Sequence, residues 1–123
     1  MIITGKTKNL GIIGCPVEHS LSPVMQNAAL QELGLDYNYI AMPVLPENLG
    51  QAISGLKALG FCGINVTIPH KVNVIQYLDE IDQSARMVGA VHTIVISEDK
   101  LIGYNIDAGG YIKSLYNENV ELE

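Results

Sequence analysis

The chain has 123 residues, 48% of them hydrophobic, which is the size and composition of one globular domain. Its net charge of -6, with 7 basic against 13 acidic residues, excludes the basic clusters that neutralise nucleic-acid phosphates, so we expect no nucleic-acid partner. No apolar run approaches the ~20 residues of a membrane span, and the N-terminus shows no secretory signal, so we expect a cytoplasmic chain without a membrane partner.

The first half of the chain alternates apolar strands with amphipathic helices. A buried strand is predicted at 9–14, and a helix follows over 22–33 with Ser22 as its N-cap. A second strand is predicted at 37–42 and a second helix at 46–59. The apolar stripe of that helix comprises Leu49, Ile53, Leu56 and Leu59.

The second half continues with a third strand, two short helices, a hairpin and a last helix. We expect the strand at 63–68, the short helices at 71–78 and 81–87, the hairpin strands at 90–96 and 101–106, and the last helix from 107 onward. This order predicts an α/β fold: a mostly parallel mixed sheet with helices on both faces and one antiparallel hairpin. We expect a single domain over residues 1–123.

The two cysteines, Cys15 and Cys62, each lie beside a glycine in an apolar run. We expect both to be reduced, core-facing thiols. No cysteine-histidine spacing resembles a zinc site, so no metal is expected.

The Ser-Leu-Ser-Pro sequence at 20–23 follows the first predicted strand and begins the first helix. Unpaired N–H groups and a partial positive charge at a helix N-terminus favour a bound anion, so the hydroxyls of Ser20 and Ser22 could hold a carboxylate. Alternatively, Ser22 only caps the helix and Ser20 only forms a turn.

The Asn-Val-Thr-Ile-Pro-His-Lys sequence at 65–71 ends the third predicted strand. Asn65 and Thr67 would project from one face, and open α/β sheets bind ligands outside the carboxyl ends of their strands. Lys71 follows, and a partly desolvated lysine can exchange a proton during catalysis. Alternatively, the two polar side chains satisfy loop backbone and the lysine is a solvated surface charge.

Asp107 ends the last predicted strand and begins the last helix. It could be an N-cap only, but beside Lys71 its carboxylate would orient the ammonium group. The three motifs lie at corresponding ends of three strands, which favours one shared ligand site.

Four motifs in this order resemble the N-terminal substrate-binding domain of the shikimate dehydrogenase family, over about residues 10–111. Besides segments 20–23 and 65–71, they are Gly-Ala-Val-His-Thr at 89–93 and Gly-Tyr-Asn-Ile-Asp at 103–107. The resemblance implies reversible, NADP-dependent reduction of 3-dehydroshikimate to shikimate in aromatic amino-acid biosynthesis.

The resemblance also implies roles for individual residues. The expected substrate-binding residues are Ser20, Ser22, Asn65, Thr67 and His92. Lys71 would give a proton to the carbonyl oxygen as hydride arrives at carbon, and Asp107 would pair with Lys71. Near Gln83 the family often has an acidic residue facing the cofactor, so Gln83 is a candidate cofactor-binding residue.

His92 departs from the family, which usually has asparagine there. An imidazole can donate to a substrate hydroxyl, but it is bulkier than an amide and can titrate near neutral pH. Alternatively, His92 is a packed strand residue.

A second departure concerns the cofactor. The family binds NADP on a separate Rossmann-type domain, which needs a glycine-rich turn between strand and helix, and no G-x-G-x-x-G occurs in this sequence. We therefore expect a fragment of a longer enzyme that is inactive alone, with a standalone domain as the alternative. A quinate-preferring dehydrogenase and a non-catalytic shikimate- or quinate-binding module also stay open, as does the oligomeric state, a homodimer included.

Overall fold

The structure is a computed structural model that describes the backbone of residues 1–122 and the side chains of residues 1–118. Within that range the chain forms six strands: β1 (Lys8–Gly14), β2 (Tyr37–Pro43), β3 (Gly63–Val66), β4 (Glu80–Ile81), β5 (Thr93–Ser97) and β6 (Lys100–Tyr104). They form one sheet in the order β2-β1-β3-β5-β6-β4. β1 is parallel to β2 and β3, β4 is parallel to β6, and β5 is antiparallel to both β3 and β6.

The helices cover both faces of this sheet. They are α1 (Ser22–Glu32), α2 (Leu49–Ala58), α3 (Gln83–Val88) and α4 (Ala108–Leu122), with 3-10 turns at Pro46–Asn48 and Asn73–Tyr77. One buried cluster joins α1 and α4 to the sheet, and a second joins α2 and α3 to the opposite face. Within the described residues, no helix combines the length and the apolar character needed to cross a bilayer.

The central strand β3 shows why the sequence specifies two helix layers. Ile64 and Val66 belong to the cluster beneath α2, whereas Asn65 is directed to the face of α1 and α4. Because both faces of β3 are covered, all four of its residues are buried.

The predicted α/β class is confirmed, and so is the hairpin between β5 and β6. Its turn places Glu98 at φ 50° and Asp99 at φ 66°, the positive values that a two-residue hairpin turn of type I′ requires.

Two predictions about α2 and α3 are wrong. The segment predicted as a helix from residue 81 begins with β4, because the backbone of Glu80–Ile81 pairs with β6. The helix starts afterwards at Gln83, where the Asp82 side chain accepts a hydrogen bond of 3.0 Å from the Ser84 N–H. Leu59, placed on the apolar stripe of α2, is 76% exposed because the helix ends one residue earlier.

The packing of α4 against β3 makes a stability prediction. A Cβ at Gly63 would collide with the Tyr111 ring, which is held in place because its hydroxyl donates to the Cys62 carbonyl at 3.1 Å. We expect Gly63→Ala to lower the free energy of unfolding by about 1–3 kcal/mol through overpacking, measured by urea denaturation.

Gly55 on α2 provides the matched control, because a Cβ there meets nothing within 4 Å. Gly55→Ala should raise the free energy of unfolding by about 0.5–1 kcal/mol, the usual gain for alanine in a helix. Equal stability of the two variants would contradict the packing argument.

Candidate functional site

Four strand ends meet at one edge of the sheet. β1, β3 and β6 run in the same direction and end there, while β5 runs in the opposite direction and begins there. The segments leaving these ends line two adjoining depressions. The lysine pocket, of about 170 Å³, contains six of the predicted residues: Ser22, Asn65, Thr67, Lys71, His92 and Asp107.

The second depression, called here the serine pocket, has a volume of about 260 Å³ and is lined by Ser20 and His19 among others. It shares Ile12, Ser22 and Thr67 with the lysine pocket. The two depressions are therefore neighbouring parts of one cleft. Ser20 lies in the part away from Lys71.

The loop after β3 carries Lys71 into the lysine pocket. His70, only 1% exposed, anchors the loop by donating from Nε2 to the Val44 carbonyl at 2.7 Å. The Lys71 carbonyl accepts from the Val91 N–H at 2.8 Å. Because the backbone is held on both sides, the half-buried Lys71 side chain is presented from a fixed position.

Close backbone approach places Thr67. A Cβ at Gly14 would collide with the Thr67 methyl group, so the end of β1 and the loop after β3 can be adjacent only with glycine at that position. The Thr67 N–H donates to the Ile13 carbonyl at 3.0 Å. Thr67 therefore lies where the two depressions join.

Asn65 takes part in a buried chain of hydrogen bonds. Its Oδ1 accepts from the Tyr39 hydroxyl at 2.8 Å, and its Nδ2 donates to Thr93 Oγ1 at 2.8 Å. The Thr93 hydroxyl donates in turn to the Ile106 carbonyl at 2.7 Å. Asn65 keeps one N–H and one oxygen lone pair for a further partner.

The start of α1 differs from the prediction. The helix begins at Ser22 itself, Leu21 occupies the N-cap position without a side-chain cap, and Ser20 Oγ accepts from the Ser22 N–H at 3.1 Å. The predicted N-cap role of Ser22 is therefore wrong, because Ser22 is already the first residue of the helix and Leu21 occupies the N-cap position. The Ser20 hydroxyl can still donate a hydrogen bond to a further acceptor.

Tyr39 adds a second hydroxyl beside Ser22. Burial raises the pKa of Tyr39 well above its ordinary value, and a hydrogen bond from Ser22 opposes this in part. The side chain of Asn27 on α1 bonds both the N–H and the carbonyl of Tyr39, at 2.9 and 2.8 Å. These bonds fix edge strand β2 against α1 next to the pocket.

Asp107 caps α4, as predicted. Its Oδ1 accepts from the Gly110 N–H at 2.7 Å. In the described part of the chain Asp107 and Lys71 form no ion pair within 4.0 Å, although both line the lysine pocket. The pairing that the resemblance implies is not formed in this structure.

His92 lines the same pocket as these two charged groups. Its N–H donates to the Tyr104 carbonyl at 2.9 Å and its carbonyl accepts from the Val66 N–H at 2.8 Å, so it is part of the sheet while its side chain lines the pocket. Burial lowers the pKa of His92, and the positive charge of Lys71 lowers it further. The Asp107 carboxylate opposes this only in part. The imidazole is therefore neutral at neutral pH.

Gln83 lies outside this cleft, exposed at the first position of α3, and lines neither depression. Sequence reasoning assigned no role to Tyr39 or Thr93. Tyr39 follows the alternating pattern of β2, which is equally typical of core packing. Thr93 lies next to His92 in a motif, but its cross-strand partner Asn65 is known only once β5 is paired with β3.

Comparisons with known proteins agree with this geometry. A family model described as shikimate dehydrogenase substrate binding domain matches residues 12–94. Shikimate dehydrogenase (NADP(+)) from Methanocaldococcus jannaschii is 56% identical over 117 residues, which cover 95% of this chain and 42% of that protein.

Solved structures give the same result. A crystal structure of shikimate dehydrogenase in complex with NADP+ has a TM-score of 0.84 at 56% identity, over 95% of this chain and 41% of the other. Shikimate 5-dehydrogenase from Listeria monocytogenes, in complex with shikimate and NAD, has a TM-score of 0.84 at 40% identity, over 97% and 41%. The chain spans about two-fifths of the length of these relatives.

The family model covers well over half of the chain, and its match includes β3 and the end of β1, which line the cleft. The chain belongs to the shikimate dehydrogenase family, as its substrate-binding domain.

Proposed function

We propose that this chain is the substrate-binding part of a cytoplasmic, NADP-dependent shikimate dehydrogenase. The reaction is the reversible reduction of 3-dehydroshikimate to shikimate in aromatic amino-acid biosynthesis. The observation that supports it most directly is the lysine pocket, where a single ammonium group, an amide, hydroxyls, an imidazole and a carboxylate converge. A small polyhydroxylated acid needs such donors and acceptors around it.

Lys71 is the proposed acid/base. Reduction of a carbonyl group needs a hydride at carbon and a proton at oxygen. The Lys71 ammonium gives that proton to the carbonyl oxygen, becomes a neutral amine, and takes the proton back in the reverse reaction. Lys71 is the only lysine or arginine among the residues that line the pocket, which supports this assignment. Asp107, on the same pocket, would hold a ring hydroxyl and favour the ammonium form.

The remaining polar groups would position the substrate. The free N–H of Asn65 and the Thr67 hydroxyl would donate to or accept from ring hydroxyls. Ser20 and Ser22, at the start of α1, would hold the carboxylate with the help of the helix N-terminus. The adjoining positions of the two depressions support this division of a single ligand between them.

The residues of this chain do not fit a bound dinucleotide. That group is held on a turn with glycines two residues apart between a strand and a helix, and no two of the 12 glycines here are so spaced. The connection from β1 to α1 begins instead with Cys15 and Pro16. We therefore assign to this chain substrate binding and proton transfer, and no part in holding the hydride donor.

Ligand preference tests the proposal. We expect the chain to bind shikimate more tightly than quinate in titration calorimetry, because the serine hydroxyls and helix N-terminus suit a carboxylate on an uncrowded ring carbon. Tighter binding of quinate would assign the alternative substrate, and binding of neither would overturn the proposed function.

Turnover tests Lys71. In the intact polypeptide as the cell makes it, Lys71→Met should reduce kcat by about 10²–10⁴-fold, the usual contribution of a general acid, with substrate affinity changed only slightly. Lys113→Met on the exposed side of α4 is the matched control and should leave kcat unchanged. Normal turnover without Lys71 would remove it from this role.

The electrostatics of the pocket can be measured at His92. Its NMR titration midpoint should lie below the ordinary histidine value of about 6.5. Lys71→Met should raise this midpoint and Asp107→Asn should lower it, since each variant removes one neighbouring charge. The lowered pKa also makes the stability depend on pH. Below about pH 6.5, His92 is protonated more readily in the unfolded chain than in the folded chain, so the free energy of unfolding should fall as the pH is lowered. NMR midpoint shifts of the opposite sign in the two variants would contradict a pocket that contains His92, Lys71 and Asp107 together.

A further inference from the structure

The hydrogen-bond chain through Asn65 has only one possible polarity. It ends at the Ile106 carbonyl, which can only accept, so the Thr93 hydroxyl must donate there. Thr93 Oγ1 is then the acceptor for Asn65, which forces the Nδ2 side of the amide toward Thr93. The Oδ1 side consequently faces Tyr39, whose hydroxyl must donate to it.

Thr93 itself cannot touch a ligand. Its exposed fraction is 0%, and it lies directly opposite Asn65 in the antiparallel pairing of β3 with β5. Cross-strand neighbours of this kind have side chains on the same face, close enough to bond. Thr93 is thus a buried group whose single hydroxyl contacts two different parts of the cleft.

The second of those parts is the segment that carries Asp107. Ile106 directly precedes Asp107, and its carbonyl lies outside the ladder of β6, which ends at Tyr104. The Thr93 hydroxyl therefore supplies a hydrogen bond that fixes the chain just before the N-cap of α4.

We propose that Thr93 is a positioning residue for ligand binding: its hydroxyl sets the orientation of the Asn65 amide and holds the Asp107 segment beside it. The inference rests on the proposed function, in which Asn65 and Asp107 hold ring hydroxyls. Without the Thr93 hydroxyl, no acceptor holds the Asn65 Nδ2 group toward Thr93. The second N–H of Asn65, which is left for a ligand, then loses its fixed orientation.

Two substitutions separate the hydroxyl from the volume of Thr93. Thr93→Val keeps the shape and removes the hydroxyl, whereas Thr93→Ser keeps the hydroxyl and serves as the matched control. We expect Thr93→Val to weaken shikimate binding by about tenfold in calorimetry, the equivalent of one neutral hydrogen bond, and Thr93→Ser to change it less than about twofold.

Shikimate analogues that each lack one ring hydroxyl distinguish positioning from general damage. For the analogue without the hydroxyl that Asn65 holds, Thr93→Val should weaken binding clearly less than it does for shikimate, because only the effect through the Asp107 segment is left. A uniform loss across all analogues would overturn the proposal, since it would indicate a structural role only.

The natural chain provides a measurement that does not depend on a variant folding. By NMR, one Asn65 side-chain amide proton should exchange with solvent far more slowly than those of exposed Asn73, and the other should shift when shikimate is added. Exchange as fast as at Asn73 would overturn the proposal.

The outcomes also separate the two hypotheses. Equal shikimate binding by the natural chain and Thr93→Val overturns the role of Thr93 and leaves the proposed function intact. If the natural chain binds no shikimate, the proposed function fails. The Asn65 amide exchange then decides alone: protection that Thr93→Val abolishes supports orientation by Thr93, and protection that it leaves unchanged overturns it.

Discussion

The direction of β5 is the constraint on which the cleft depends. β5 enters antiparallel between β3 and β6, so its first residue lies at the edge where β1, β3 and β6 end. That arrangement brings His92 and Thr93 to the same edge as Asn65 and Lys71. In a parallel orientation, the end of β5 at this edge would be Ser97, and the pocket would lose both the imidazole and the partner of Asn65.

The cleft relies on neutral groups whose direction is fixed by buried partners. The chain has few cations, and Lys71 is the only lysine or arginine among the residues that line the lysine pocket. Amides and hydroxyls can replace charges in binding a polar ligand, but an amide is useful only if its donor and acceptor sides are fixed. In the described residues, no buried side-chain nitrogen or oxygen lacks a partner, so the network that fixes Asn65 is complete before a ligand arrives.

The local elements of this fold can be predicted from the sequence more reliably than the pairing of its strands. The apolar runs, helix-ending glycines and the hairpin predicted the α/β class and the approximate position of each main element. β4 was missed because two residues are too few for any periodicity, and they form a strand only through the backbone of β6. Ser22 was misassigned because Ser-Pro is typical of an N-cap, whereas the preceding Ser20 accepts the bond from the Ser22 N–H.

The same limit applies to the site. Lys71, Asn65 and Asp107 were identifiable because polar residues at strand ends are exceptions in apolar runs. The roles of Tyr39 and Thr93 arise from distances across the sheet, at sequence separations of 26 and 28 residues from Asn65, and no local pattern encodes them.

His92 does not add a charged imidazolium to the pocket at neutral pH. Burial and the neighbouring ammonium of Lys71 both disfavour a charged imidazole, and the Asp107 carboxylate only partly compensates. A neutral imidazole offers one donor and one acceptor, which is the same hydrogen-bonding capacity that an amide side chain can present to one hydroxyl. A neutral His92 can thus offer one hydroxyl the same contacts as an amide side chain, and under the proposed function the proton for carbonyl reduction would come from Lys71 alone.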